Sequence, residues 1–450
     1  MTLIDGHGLA VSTSSRPALD AVERALWRMM SFYGAPLDDL DAAMNADPAW
    51  ALPHAMKAGF LFGLTEPALR SDAFAALATA GRLAGRANER ERSHVGALKH
   101  LATGDWRGAC ASWTDLLADH PRDALALQWG HLFDFYRGDS AMLQERIGRA
   151  LPTWHAGDPL QPYVLGLHAF GLEEIGRYGE AEAAGRQALA GTAKVPWAIH
   201  AVAHVMEMQG RHGEGQRWMH DWRPDWGAHE GEQRNGFAGH LGWHEALFAL
   251  ESLDHDGALA AFDAYLHADA TEITLQRLDA VSLLWRLSLH GADVGQRWQA
   301  LLAGWTLGVD EDADSAAGHS TFNDVHALLA LLGAGQTARA EAWLAASIAR
   351  SGALAGWNRE VMRDVGAPLM HGLLAFGQGR HDNAAEALMA VRGRLAPIGG
   401  SHAQRDVVDQ TLLAACARGS HHAAGRALLA QRAAARPPTP LSAWWAAALR

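Results

Sequence analysis

Gly176-Arg177-Tyr178-Gly179-Glu180-Ala181 separates two amphipathic helical stretches, 163–175 and 180–190, and its reading decides the fold. Small residues stand where two helices must approach closely, at Ala169, Ala181 and Ala188. The same turn grammar returns at Gly138-Asp139, Gly210-Arg211-His212, Leu253-Asp254-His255-Asp256, Gly335-Gln336, Gly379-Arg380-His381 and Arg418-Gly419. Apolar positions between these turns follow the helical period, and no alternating strand pattern interrupts them. Pro closes earlier units at Asp47-Pro48 and His120-Pro121.

Turn spacing begins near the ~34-residue tetratricopeptide period and lengthens to about 40 or more beyond Gly210. Each helix pair alone leaves an apolar face uncovered, so stability requires stacked neighbours. The sequence therefore predicts an all-α, tetratricopeptide-like superhelical solenoid of roughly nine to ten helix pairs. It is expected to form one repeat domain over residues 1–450, with 424–450 as C-terminal cap and tail. Two segments break the rhythm: 218–239, rich in Trp, His and charge, and the acidic stretch 310–320. Long breaks of this kind are more often functional than decorative.

The charge balance, 38 basic against 50 acidic residues for a net charge of −12, offers no basic tract for a phosphate backbone, so nucleic acid is excluded as an expected partner. No apolar run approaches the ~20 residues of a membrane span, and the opening residues lack a secretion signal, so a cytoplasmic protein is expected. Cys110 and Cys416 have neither disulfide nor thiolate-metal spacing and read as small core residues. The unusual content is 25 His and 18 Trp, which calls for a reason beyond packing.

That reason lies in two stretches. In 197–209, Trp197, His200, His204 and Glu207 are spaced by three, four and three residues and share one helical stripe, opposite Val202, Ala203 and Met206. In the following unit His240 and His244 again stand one turn apart, beside Trp243 and Glu245. The first helix of a tetratricopeptide pair lines the concave surface, so both histidine pairs are expected to face inward. Asn323, Asp324 and His326, and later Asp406, Asp409 and Gln410, fall near inward positions of their own helices. Ser401 and Gln404 have capping-box spacing, which explains them by a helix start alone. Arg405 and His402, beside that helix start, would suit a carboxylate or phosphate. His168 and His371 read as core histidines.

The run Trp197-Ala198-Ile199-His200-Ala201-Val202-Ala203-His204-Val205-Met206-Glu207 resembles the tetratricopeptide repeat protein 38 family. Asn235-Gly236-Phe237-Ala238-Gly239-His240-Leu241-Gly242-Trp243-His244 is similar to that family's second signature, which usually reads more like His-Asn-Trp-Trp-His. Leu241 and Gly242 depart from it, and the departure implies a wider and less polar pocket at that point. Segments 323–327 and 400–406 also resemble the family. The resemblance implies a helical repeat fold and no particular reaction.

Phosphate-loop, dinucleotide, serine-elbow and His-Glu-x-x-His motifs are all missing from the sequence. The expected function is a compact small-molecule site in the concave groove, with His200, His204, Glu207, His240 and His244 doing acid–base work. Trp197, Trp243, Glu245, Asn323, Asp324, His326, His402, Arg405 and Asp406 would bind the ligand around them. No cofactor is required, although a divalent metal on His200, His204, His240 and His244 is one alternative. The other alternative is a scaffold for a peptide or partner protein. Peptide-holding arrays commonly grip with Lys, Arg and Asn, whereas this groove offers His, Glu, Asp and Trp, which favours the small ligand.

Overall fold

The computed structural model describes residues 3–227, 229–230, 233–267, 273–305, 307 and 317–450. Within them the fold is all-α and tetratricopeptide-like, a succession of helix pairs joined by tight turns. Pairs pack as the sequence predicts: Glu89–Ala102 on Trp106–Asp119, Ala124–Tyr136 on Ser140–Ala150, Gln161–Glu174 on Tyr178–Gly191, and Ala238–Glu251 on His255–Tyr265. The turn residues explain why. Gly176 adopts φ 78°, the left-handed conformation that ends a helix and costs glycine little. At the equivalent place Leu253 is forced to φ 59°, strain of about 1–2 kcal/mol that the flanking helices must hold. One residue later Asp254 caps the next helix, its side chain accepting from the Gly257 N–H at 2.9 Å, as Asp139 does from Met142.

The chain divides into two compact units, residues 1–202 with 224–237, and residues 203–223 with 238–450. In the first, Phe237 stacks on Phe32 with ring centres 4.8 Å apart, and the Tyr33 hydroxyl donates to the Asp225 carbonyl at 2.8 Å. These contacts tie the returning segment to the N-terminal helices. In the second, the C-terminal helix Pro440–Ala448 is anchored by Glu251. Its carboxylate takes Arg436 at 3.0 Å and the Thr439 hydroxyl at 2.6 Å, while the Trp445 indole donates to Gln410 at 2.9 Å. His422–Ala435 and Pro440–Ala448 are helical, and the second of these helices is the one so anchored. Among the described residues, no helix is long and apolar enough to cross a membrane.

Several expectations need correction. Leu3–Ile4 and Ala10–Val11 pair as a short antiparallel ladder at the start of the chain, too brief for a period-2 pattern to reveal. Residues 218–226 do not break the rhythm, since the helix His212–Trp226 runs through them with Trp226 fully buried. Much of the expected acidic loop, 310–316, lies outside the described residues. His371 is exposed and no core residue, because its helix buries Met370, Leu373 and Leu374 on the other side.

Candidate functional site

The second unit gathers histidines from two helices. His204 comes from the last turns of Pro196–Met208, and His240 and His244 from the first half of Ala238–Glu251. The rings of His204 and His244 are centred 4.5 Å apart, and those of His240 and His244 4.9 Å apart. Each of the three offers a ring nitrogen, and these nitrogens lie within 4.8 Å of one another. His204 and His244 are fully buried, so the stripe that reads as groove-facing is enclosed. Periodicity reports which residues share a face and not whether that face is wet.

Two carboxyl groups orient the rings. Asp279, from Thr274–Leu289, lies 2.8 Å from His240 Nδ1, and Glu207 lies 3.3 Å from His244 Nδ1. Each meets the Nδ1 of its ring, the kind of contact that fixes the orientation of metal-binding imidazoles. Burial is the largest influence on both inner histidines. It holds His204 well below the ordinary imidazole range, with His244, His240 and His402 adding to the effect, and depresses His244 likewise, helped by His240. Burial also raises the Glu207 carboxyl to about 7. Burial thus disfavours the fully charged form of the Glu207–His244 contact.

Trp243 walls the cluster, stacking on His240 at 5.4 Å and 17° and meeting His244 edge-on at 4.8 Å. The wider pocket implied by Gly242 is not there. A Cβ on Gly242 would stand 2.6 Å from Cβ and Cγ of Tyr265, so the volume of the missing side chain is filled by the partner helix. Leu241 is fully buried in the same packing.

The remaining expected residues separate by role. Glu245 is one residue off the stripe and pairs with Arg223. Asp406 is bound by Arg432 and by Gln410 at 3.0 Å, and its carboxyl is held far below the usual range despite burial, chiefly by Arg432. Arg405 donates to the Gly400 carbonyl and closes its own loop instead of facing outward for an anion, behind the Ser401–Gln404 capping box, which is fully formed. His402 is exposed at the same helix start. Asp324 is buried and accepts from the Gly318 N–H at 3.0 Å, with its carboxyl raised to about 7 by that burial. His326 bonds the Phe322 carbonyl at 2.8 Å and is lowered to about 4, again by burial, and Asn323 is half-buried in the first turn of the same helix.

His200 and Trp197 belong to the first unit. There His200 sits among Phe170 at 5.0 Å, Trp197 at 5.0 Å and Phe237 at 5.2 Å between ring centres, an aromatic surround. Sequence reasoning missed Asp279 altogether. Its signal was the one acid of its helix, seven residues ahead of Arg286, but no turn motif ties that helix to the histidine stretches.

No family model matches the chain. Among solved structures it is similar to a tetratricopeptide repeat protein from Parabacteroides merdae, at 13% identity over 67% of this chain and 99% of that one, with a TM-score of 0.33.

Proposed function

We propose that this tetratricopeptide-like protein, which resembles the tetratricopeptide repeat protein 38 family, binds a divalent transition metal ion on His204, His240 and His244 and presents it to a compact ligand. The observation that carries the reading is the clustering of three ring nitrogens within 4.8 Å, with carboxyl groups behind His240 and His244. Imidazole nitrogens on a tetrahedral zinc ion stand about 3.3 Å apart, as follows from Zn–N bonds of about 2.0–2.1 Å, so small side-chain adjustments complete the set. Three histidines leave one position of a tetrahedral ion for water or ligand, which is the pattern of catalytic rather than structural zinc. At that position the ion would polarise a bound oxygen. Asp279 and Glu207 would set the ring orientations and Trp243 would exclude water. Burial supports the reading too, because a metal takes the neutral imidazole.

Metal analysis of protein purified without chelators tests it, followed by cobalt titration of the stripped protein. One equivalent of metal is expected, lost in His204→Ala and His244→Ala. Metal-free protein that also ignores added zinc and cobalt would leave a metal-free cluster in which Glu207 and His244 exchange a proton with a bound molecule.

A further inference from the structure

Seven residues beyond Asp279, and so two turns along the same face of Thr274–Leu289, stands Arg286. Long side chains on a helix lean toward its N-terminus, which brings the Arg286 head back toward Asp279. Its guanidinium carbon lies 5.6 Å from the centre of the Trp243 ring, the same ring that touches His240 and His244. Arg286 is almost fully buried.

What the guanidinium touches is unusual for a buried cation. It donates to the carbonyl of Ser282 at 3.2 Å and to the Ser282 hydroxyl, and to the carbonyls of Ala403 at 2.7 Å and Gln404 at 3.4 Å. All are neutral oxygens. Among the described residues no carboxylate oxygen comes within the 4.0 Å of an ion pair, although Arg432 pairs with both Asp406 and Asp409, and Arg436 with Glu251. A buried charge normally requires a paired counter-charge, since desolvating an ion is costly. The position next to Trp243 is thus a cationic spot beside the imidazole cluster without a contact anion of its own.

We infer that the compact ligand of this site is a small carboxylate, bound by Arg286 and facing the imidazole cluster. This rests on the metal-site reading for the place of the ligand, but the recognising group is separate from the metal ligands. A carboxylate fits the fork of an arginine with two parallel hydrogen bonds, and here one of them would replace the long 3.4 Å contact to the Gln404 carbonyl. A single negative charge also suits the surroundings: Asp279, Glu207 and Asp406 all act on Arg286, and a phosphate dianion would bring further negative charge against them.

The test uses the full-length protein, with metal content measured beside every titration so that the two readings fail separately. Acetate, inorganic phosphate and uncharged acetamide are titrated into cobalt-loaded protein, read by the visible cobalt bands, and into metal-stripped protein, read by line broadening of labelled acetate. Acetate is expected to saturate, with acetamide inert and phosphate weaker. Arg286→Met should abolish acetate binding, and Arg286→Lys should weaken it at least tenfold while folding as the wild type does, which covers the case of a misfolded Met variant. Acetate that fails to bind both loaded and stripped protein overturns the inference, as does acetate binding unchanged in Arg286→Lys or phosphate binding that exceeds it. Metal loss with acetate binding intact would overturn the metal reading alone.

Discussion

Asp279 meets the imidazole of His240 at 2.8 Å across 39 residues of sequence, and through that contact an acid on one helix sets the orientation of a histidine on another. Such a partner behind a metal ligand typically contributes 10- to 100-fold in affinity, about 1.4 kcal/mol per factor of ten. Asp279→Asn should therefore weaken zinc binding by about that factor in competition with a chromophoric chelator, without changing the stoichiometry. Equal affinity in the variant and the wild type would show that the carboxylate serves packing alone.

Gly242 is expected to tolerate no side chain. The nearest atoms to an added Cβ, at 2.6 Å, are Cβ and Cγ of Tyr265, the stiff root of a side chain and not its far end. Gly242→Ala should lower stability by about 1–3 kcal/mol, the usual cost of overpacking. Thermal unfolding measures it, and the double variant with Tyr265→Ala should recover part of the loss. Additive losses would mean that the crowding lies elsewhere.

The fold was legible because its punctuation is chemical. A glycine that ends one helix, followed by Asp capping the next, is visible at Gly138-Asp139 without any structure, and it predicts both the turn and the pairing. The histidine stripe was legible in the same way, since i,i+4 spacing fixes a face. Three things were not. Spacing could not tell that His204 and His244 are sealed from solvent, because neighbours from other helices decide that. It could not find Asp279 or Arg286, whose partners lie 39 and 117 residues away. Nor could it foresee Tyr265 filling the place of a side chain that Gly242 lacks, which is a matter of packing between helices.

Asp324 should give the protein a pH-dependent stability of definite sign. Burial raises its carboxyl from the ordinary 3.8 to about 7. Between these limits the folded state keeps a proton that the unfolded chain releases, so stability falls as pH rises from about 4 to about 7 and levels off above. In Asp324→Asn, which keeps the oxygen that accepts from Gly318, this part of the slope should vanish. Relative to wild type the variant should gain up to a few kcal/mol on going from pH 4 to pH 8, at about 1.4 kcal/mol per pKa unit. Parallel denaturation curves across that range would refute the assignment.

Glu251 anchors the last helix through Arg436 and Thr439, and both contacts are largely buried. Glu251→Ala leaves a cation and a hydroxyl without their acceptor, a change expected to cost about 2 kcal/mol or more. Because the loss is local, hydrogen exchange should rise first in residues 436–449, ahead of global unfolding. Exchange that rises uniformly along the chain would contradict a local anchor.

The return of residues 224–237 to the first unit bears on how the protein is made. Synthesis delivers residue 202 well before Phe237, and the intervening 203–223 belong to the other unit. Until that segment emerges, Phe32 lacks its stack on Phe237 and Tyr33 lacks the Asp225 carbonyl. The nascent N-terminal half must wait for these contacts until a segment arrives that follows part of the other unit. No single cleavage point yields both halves intact.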